Sequence, residues 1–362
     1  MTERMLVEGN VAMCRGAVDA GCRHFFGYPI TPQNEVPEWF SREMPKIGGV
    51  YVQAQSETGS INMLYGAASA GARVMTSTAG PGWSLMQETI SHINTAETPC
   101  VIGLVQRTGP GAGGPRHSQN DYNSAVKGGG HGGYKNIVLA PSSVQETYEL
   151  AQLAFYLADK YRNIVVILTD AVLGLLLEPL EAKVLDFGPL PPKDWAIGKC
   201  APYKDKKIHM VEHAGFLFGD PTKSPYLTLL KHLSNKWAAM EADVRYEEYQ
   251  MQDAELVLVA FGYVSRSCKE AINQARKEGL KVGLLRPITL FPFPTKAISE
   301  LATQGKKFMV VEDNIGQMVD DVRLAVEGRT KVYLVNAFAR DLPTEMGSIM
   351  PDQILEEVKK VL

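Results

Sequence analysis

The chain has 362 residues, 45% of them hydrophobic and 21% charged, with 33 glycines. That composition fits a globular protein of two domains and excludes the disordered, fibrous and small disulfide-bonded classes. Lys plus Arg number 37 against 40 Asp plus Glu, a formal net charge of -3, so the basic excess of a nucleic-acid or anionic-membrane binder is missing.

No window approaches about 18 uninterrupted apolar residues, and Met1-Thr2-Glu3-Arg4 carries no charged-then-apolar leader. Neither a membrane span nor secretion is expected, and the cytoplasm is the default compartment. The five cysteines, Cys14, Cys22, Cys100, Cys200 and Cys268, form no Cys-x-x-Cys. By itself the chain therefore lacks the usual four-cysteine ligation of an iron–sulfur cluster and the ligands of a structural zinc, and the cysteines are expected to be buried thiols.

Up to about residue 185, short apolar runs alternate with amphipathic stretches, the rhythm of a doubly wound parallel sheet. Strands are predicted at His24–Tyr28, Val50–Gln53, Arg73–Ser77, Cys100–Gln106, Asn136–Leu139 and Asn163–Leu168. Helices are predicted at Val11–Ala20, Glu35–Arg42, Glu57–Ala70, Trp83–Asn94 and Val144–Lys160. The strands barely alternate, as strands covered on both faces do. From 186 to 252 the rhythm fails, with Pro189, Pro191 and Pro192 followed by a polar tract and a helical-looking Leu227–Glu247, and this stretch reads as a connector. It resumes with strand Leu256–Ala260, helix Ser265–Lys277 capped by Ser265, strand Val282–Leu285, helix Thr295–Thr303, strand Phe308–Val311, helix Gln317–Glu327 and strand Lys331–Val335. The expected architecture is α/β: a parallel-sheet domain over 1–185, a connector over 186–252 and a smaller α/β domain over 253–362.

The unusual residues cluster after strands: Gly27–Pro32, Gln55–Glu57, Thr78–Gly82 and Gln106–Gly114. Ligands of open α/β sheets sit beyond the carboxyl ends of strands, so one crevice is expected to gather these four. The glycine-rich pieces 109–114 and 128–133 have neither dinucleotide spacing nor a Walker Lys-Ser/Thr. In Gly27-Tyr28-Pro29-Ile30-Thr31-Pro32 two prolines aim the Thr31 hydroxyl, either at a ligand or as the cap of a helix starting at Pro32; the pattern leaves both open. Glu57 opens a helix rich in small residues, and its carboxylate answers either to the helix dipole or to a buried partner group. His209-x-x-x-His213 has helical metal spacing without a third ligand, so no metal site is assigned. His131 sits in its glycine loop either at a site or bonded to backbone.

Taken together, Gly27–Pro32, Gln55-Ser56-Glu57, Thr76–Gly82, Gln106-Arg107, Lys127–Tyr134, Leu284–Pro287, Val310–Glu312 and Gly316–Met318 resemble the α subunit of the 2-oxoacid:ferredoxin oxidoreductases. Tyr28–Glu35, Lys127–Gly132 and Val244–Tyr249 look most like the branched-chain (2-oxoisovalerate) type. The resemblance implies a thiamine pyrimidine-binding domain followed by a transketolase C-terminal-like domain. It implies thiamine diphosphate-dependent oxidative decarboxylation of a 2-oxo acid with CoA, delivering electrons to ferredoxin. A β subunit would carry the diphosphate, Mg²⁺ and a [4Fe–4S] cluster, beside small ferredoxin-like and γ subunits. No Gly-Asp-Gly…Asn motif contradicts that division.

By the same resemblance Glu57 bonds N1′ of the cofactor's aminopyrimidine and promotes its imino tautomer. Thr31 and Arg107 contact the substrate, the guanidinium meeting the 2-oxo acid's carboxylate as a planar fork. Tyr28, Pro29, Ile30, Thr78, Gly80 and Pro81 flank the cofactor. Three residues depart from the branched-chain pattern, Arg116, His117 and Trp83, and they leave 2-oxoglutarate or an aromatic 2-oxo acid as alternatives. Two further readings, a stand-alone transketolase-type enzyme and a non-catalytic binding subunit, are opposed by the missing Mg–diphosphate motif and by the joint presence of Glu57, Thr31 and Arg107 respectively.

Overall fold

A computed structural model describes residues 4–197, 225–336 and 349–362. The first half runs β1 (Arg4–Glu8), α1 (Gly9–Asp19), β2 (His24–Gly27), α2 (Glu35–Glu43), β3 (Val50–Gln53), α3 (Glu57–Ser69), β4 (Val74–Thr78), α4 (Gly80–Thr95) and β5 (Cys100–Gln106). It continues through α5 (Tyr122–Val126), β6 (Ile137–Leu139), α6 (Val144–Tyr161), β7 (Ile164–Asp170), α7 (Ala171–Leu175) and β8 (Leu177–Glu181). The rest comprises α8 (Pro225–Met240), β9 (Tyr246–Tyr249), β10 (Leu256–Val259), α9 (Val264–Lys277), β11 (Val282–Pro287) and β12 (Thr289–Phe291), then α10 (Thr295–Thr303), β13 (Lys307–Glu312), α11 (Met318–Val326), β14 (Val332–Asn336) and α12 (Pro351–Val361).

The larger sheet has the order β12-β6-β7-β5-β4-β2-β3. Its first-half strands are parallel, while β12 pairs antiparallel with β6. Neighbouring residues of one strand serve opposite faces: Val101 and Val165 pack with α1, α2 and α6, and Ile102 and Val166 with α3 and α4. Burial on both faces explains why these strands read as continuous apolar runs. The second sheet, β14-β13-β10-β11-β9, is parallel except for β9. Its α9/α12 face has its own core, but its other face joins the α3/α4 cluster, with Val257, Phe261, Leu285 and Val310 in one apolar body with Trp83 and Leu104.

An ion-pair clasp ties the two sheets together. Arg286, at the end of β11, puts Nη1 and Nη2 on Glu146 of α6 at 3.0 and 2.8 Å and Nε on Glu247 of β9 at 2.7 Å. Its side chain is 5% exposed.

Several predicted elements shift. The stretch 227–247 is not one helix: α8 ends at Met240, and Tyr246–Tyr249 is the antiparallel edge of the second sheet. Ser265 does not cap α9, which begins at Val264; it is the helix's second residue, and its hydroxyl donates back to the Gly262 carbonyl at 2.7 Å. Helix α4 starts at Gly80 rather than Trp83, because Pro81 fits the first turn, where its missing N–H is no loss. Strands β1, β8 and β12 and helices α5, α7 and α12 were not predicted.

Candidate active site

Four strand ends meet at the carboxyl edge of the larger sheet. After β2 the chain turns through 28–33, and the buried Gln33 pins the turn by accepting from Ser77 Oγ and donating to the Tyr28 carbonyl. Thr31 is not a helix cap, since α2 begins at Glu35, beyond Asn34. Thr31 is exposed; its hydroxyl accepts from Asn34 Nδ2 at 3.2 Å and its carbonyl from Arg107 Nη1 at 2.8 Å. Arg107 Nη2 donates to the Ala112 carbonyl at 2.7 Å, so the guanidinium bridges the Thr31 turn and the 108–114 loop. Its Nε is buried without a partner.

Glu57 opens α3 immediately after Ser56, whose hydroxyl caps the helix by accepting the Gly59 N–H at 3.1 Å. The dipole-facing role therefore belongs to Ser56 as much as to Glu57. The Glu57 carboxyl is 6% exposed and, among the described residues, has no hydrogen bond or ion pair. Across from it, α4 begins with Gly80-Pro81-Gly82. A Cβ on Gly82 would come within 2.6 Å of Glu57 Oε1 and 2.2 Å of Thr78 Oγ1, so only glycine permits this approach. Tyr28 and Ile30 are half-buried, Pro29 is exposed and Thr78 fully buried.

Asp121 had no role in the sequence reading. It accepts the backbone N–H of Arg107 and feels that residue's charge, and burial, the larger influence, pushes its carboxyl up to about 6. Its signal was hidden in the polar run Ser118-Gln119-Asn120-Asp121, which reads as a solvated loop. Instead Ser118 and Gln119 are buried and bond to the second half: Gln119 donates from N to Asp313 O at 2.8 Å and from Nε2 to Phe261 O at 3.0 Å.

In the same seam His117 Nδ1 lies 2.9 Å from Asp313 Oδ2, and the Tyr263 hydroxyl donates to that oxygen at 2.6 Å. Asp170 is also buried there; burial, reinforced by Asp313, raises its carboxyl to about 6. Thus Thr31 is brought to Arg107 and Glu57 to the Gly80–Gly82 turn, whereas His117 turns to the second half and Trp83, 1% exposed, is a core side chain. Arg116 is exposed, with its carbonyl accepting the Thr108 N–H. His131 is exposed and its carbonyl accepts from Ser91 Oγ at 2.6 Å. His209, His213 and Cys200 lie outside the described residues; the other four cysteines are free and buried. Among the described residues no cluster of potential metal ligands occurs, and no helix is long and apolar enough to cross a membrane.

Residues 15–187 match the family model for pyruvate flavodoxin/ferredoxin oxidoreductase, thiamine diphosphate-binding, and residues 254–344 the model for pyruvate:ferredoxin oxidoreductase core domain II. The chain is 50% identical over 338 residues to ketoisovalerate oxidoreductase subunit VorB of Methanothermobacter marburgensis, covering 93% of this chain and 94% of that one. The chain belongs to the 2-oxoacid:ferredoxin oxidoreductase family.

The 2-oxoglutarate synthase subunit KorA of Methanocaldococcus jannaschii, a more distant member, is 37% identical over 352 residues, covering 93% of this chain and 95% of that one. Among solved structures, the 2-oxoglutarate:ferredoxin oxidoreductase from Magnetococcus marinus, with 2-oxoglutarate, coenzyme A and succinyl-CoA bound, superposes with a TM-score of 0.84 at 28% identity. It covers 99% of this chain, which spans 65% of that longer chain. A split-gene transketolase shares the fold at a TM-score of 0.58 and 12% identity. The 2-oxoacid:ferredoxin oxidoreductase chain is therefore transketolase-like in fold, as its sequence led one to expect.

Proposed function

We propose that this chain is the α-type subunit of a complex that oxidatively decarboxylates a branched-chain 2-oxo acid, with CoA and two oxidised ferredoxins giving acyl-CoA, CO₂, two reduced ferredoxins and a proton. The observation that carries the reading is Glu57, a buried carboxyl with no partner in its own chain among the described residues, set against a glycine turn in a thiamine-binding family. Identity of 48–50% to subunits named for ketoisovalerate, against 34–37% to archaeal subunits named for 2-oxoglutarate, supports a branched-chain substrate.

The residues present fit the aminopyrimidine end of thiamine diphosphate. Glu57 Oε1 would hold the proton at N1′, in the manner of a positioned acid–base group. The bare backbone at Gly80-Pro81-Gly82, with Thr78 beneath it and Tyr28, Pro29 and Ile30 on the facing turn, would let a flat ring approach. Bound there, thiamine diphosphate would supply an acidic ring carbon as the nucleophile for 2-oxo acid chemistry. Arg107, fixed by the Thr31 and Ala112 carbonyls, would hold the substrate carboxylate with its remaining N–H groups, and the exposed Thr31 hydroxyl would orient the same end. Diphosphate, Mg²⁺ and the [4Fe–4S] clusters are assigned to partner subunits, a β subunit foremost, in a cytoplasmic complex. The division 1–185, 186–252 and 253–362 is kept as a proposal, with the pyrimidine site in the first part.

The test is turnover of the reconstituted complex on 2-oxoisovalerate, 2-oxoglutarate and an aromatic 2-oxo acid, for native chain and Arg107→Ala. We expect 2-oxoisovalerate to be preferred and Arg107→Ala to lower kcat/KM for all three alike, by about 2–4 kcal/mol. Preference for 2-oxoglutarate would overturn the substrate; a loss confined to one acid would overturn the role of Arg107.

A further inference from the structure

The polar groups around the end of β5 are incompletely matched. Gln106 Oε1 accepts the Asp121 N–H at 3.2 Å, and the Arg107 N–H donates to the Asp121 carboxylate, so residues 106, 107 and 121 form one unit. Within that unit three side-chain atoms, Gln106 Nε2, Arg107 Nε and Asp121 Oδ2, are buried with no hydrogen-bond partner. Two are donors and one is an acceptor.

Beyond accepting the Arg107 N–H, the Asp121 carboxyl makes no hydrogen bond to the described residues. Its side chain does not cap α5, although it stands at the N-cap position just before Tyr122. It is pressed against the Gly80 backbone, its two oxygens 3.0 and 3.3 Å from where a Cβ on Gly80 would lie. Gly80 thus stands to Asp121 as Gly82 stands to Glu57, and the two carboxyls flank the same turn. Arg107 is the charged group acting on Asp121 among the described residues; neither α4 nor α5 brings another cation or carboxylate to bear on it.

We propose that Asp121 is a positioning residue that takes up one proton when the 2-oxo acid binds, releasing the charge of Arg107 from an internal carboxylate to the substrate's. This rests on the reading that Arg107 holds the substrate carboxylate. Two carboxylates facing one guanidinium in a partly dry site cannot both stay ionised at little cost, and the one already short of hydrogen bonds is neutralised. The proton comes from solvent and goes to Oδ2, the unpartnered oxygen, which then becomes a donor. No bond other than this O–H forms or breaks. Burial, outweighing the opposing pull of Arg107, already brings the group to the edge of neutrality, about 6. The sign follows: Asp121 is protonated and Arg107 fully available below about pH 6, and substrate affinity declines as pH rises above it.

The experiment uses the reconstituted complex with 2-oxoisovalerate, which stays fully ionised throughout, between pH 5.5 and 8.5. Native enzyme should show kcat/KM falling above about pH 6 by as much as tenfold per unit, carried by KM rather than kcat. Asp121→Asn, fixed in the neutral form, should keep KM near its low-pH value across the range, and Asp121→Glu should restore the slope. A slope unchanged in Asp121→Asn overturns the inference alone. KM and kcat/KM unaffected by Arg107→Ala at every pH would instead bring down the carboxylate reading beneath it. Should Asp121→Asn fail to assemble, the proton count is read directly, by calorimetric binding of 2-hydroxyisovalerate to native complex in two buffers of different ionisation enthalpy at pH 7. Uptake approaching one proton per site is expected; none overturns the proposal.

Discussion

Glu57→Gln separates a functional carboxyl from a structural one, because the two roles predict opposite outcomes in two assays. The amide matches the carboxyl in size, and no hydrogen bond or ion pair to the described residues is lost. What disappears is a charge in a site 6% exposed, and an unpaired buried charge is a cost to folding. In the purified chain the change should therefore leave the denaturant midpoint unaltered or raised, within about 1 kcal/mol. In the assembled enzyme the proton at N1′ loses its acceptor, and turnover should fall by about 10²-fold or more, equivalent to about 2.7 kcal/mol of barrier. Urea unfolding of the chain and ferredoxin reduction by the complex are the two measurements. A chain destabilised by more than about 2 kcal/mol, together with turnover within threefold of native, would return Glu57 to a helix-end role and refute the reasoning.

Two further outcomes follow from packing. Arg286→Ala should destabilise the chain by about 3–5 kcal/mol, because it strands two carboxylates around a buried cation, although Glu146 keeps the Ser142 N–H and hydroxyl and Glu247 keeps Lys269; thermal unfolding checks it. Gly82→Ala must displace Glu57 or Thr78 and should abolish thiamine-dependent activity in a chain that still folds, whereas Gly66→Ala, whose Cβ would meet no atom within 4 Å, should raise stability by about 0.5–1 kcal/mol in the isolated chain.

The parallel sheets were legible because burial on both faces writes itself as runs such as Cys100–Gln106, and the convergence of four strand ends follows from the topology of such a sheet. What stayed hidden depends on contacts distant in sequence. Thr289-Leu290-Phe291 is too short to show a period and becomes a strand only because β6 offers an open edge. Tyr246–Tyr249 is charged and half-exposed, as an edge strand can be, and continued the helical look of α8. The Ser118–Asp121 run looks like a loop until Asp313 and Phe261 satisfy it. Helix α12, by contrast, carries Pro351 in its first turn and buried Ile354, Leu355 and Val358 at helical spacing, so it was readable in principle. For the site, Glu57 and Thr31 stood out by position with their roles left open, and Arg107 entered only through the family resemblance. Asp121 did not, since nothing in an isolated aspartate tells that its carboxyl will be buried against the backbone of an arginine.

The insertion of β12 makes the two halves inseparable as folding units. A fragment ending before residue 254 would keep β6 but leave its outer N–H and C=O groups uncovered, and would also lose the Ile288 carbonyl that receives the Ala140 N–H. Such an edge is a template for pairing with another copy of itself. The complementary fragment would carry a three-residue strand with no sheet to join. Division of this polypeptide, whether by a protease or by splitting its gene, therefore calls for the pieces to be made together: the second closes the first, and an orphaned first piece is expected to aggregate rather than persist.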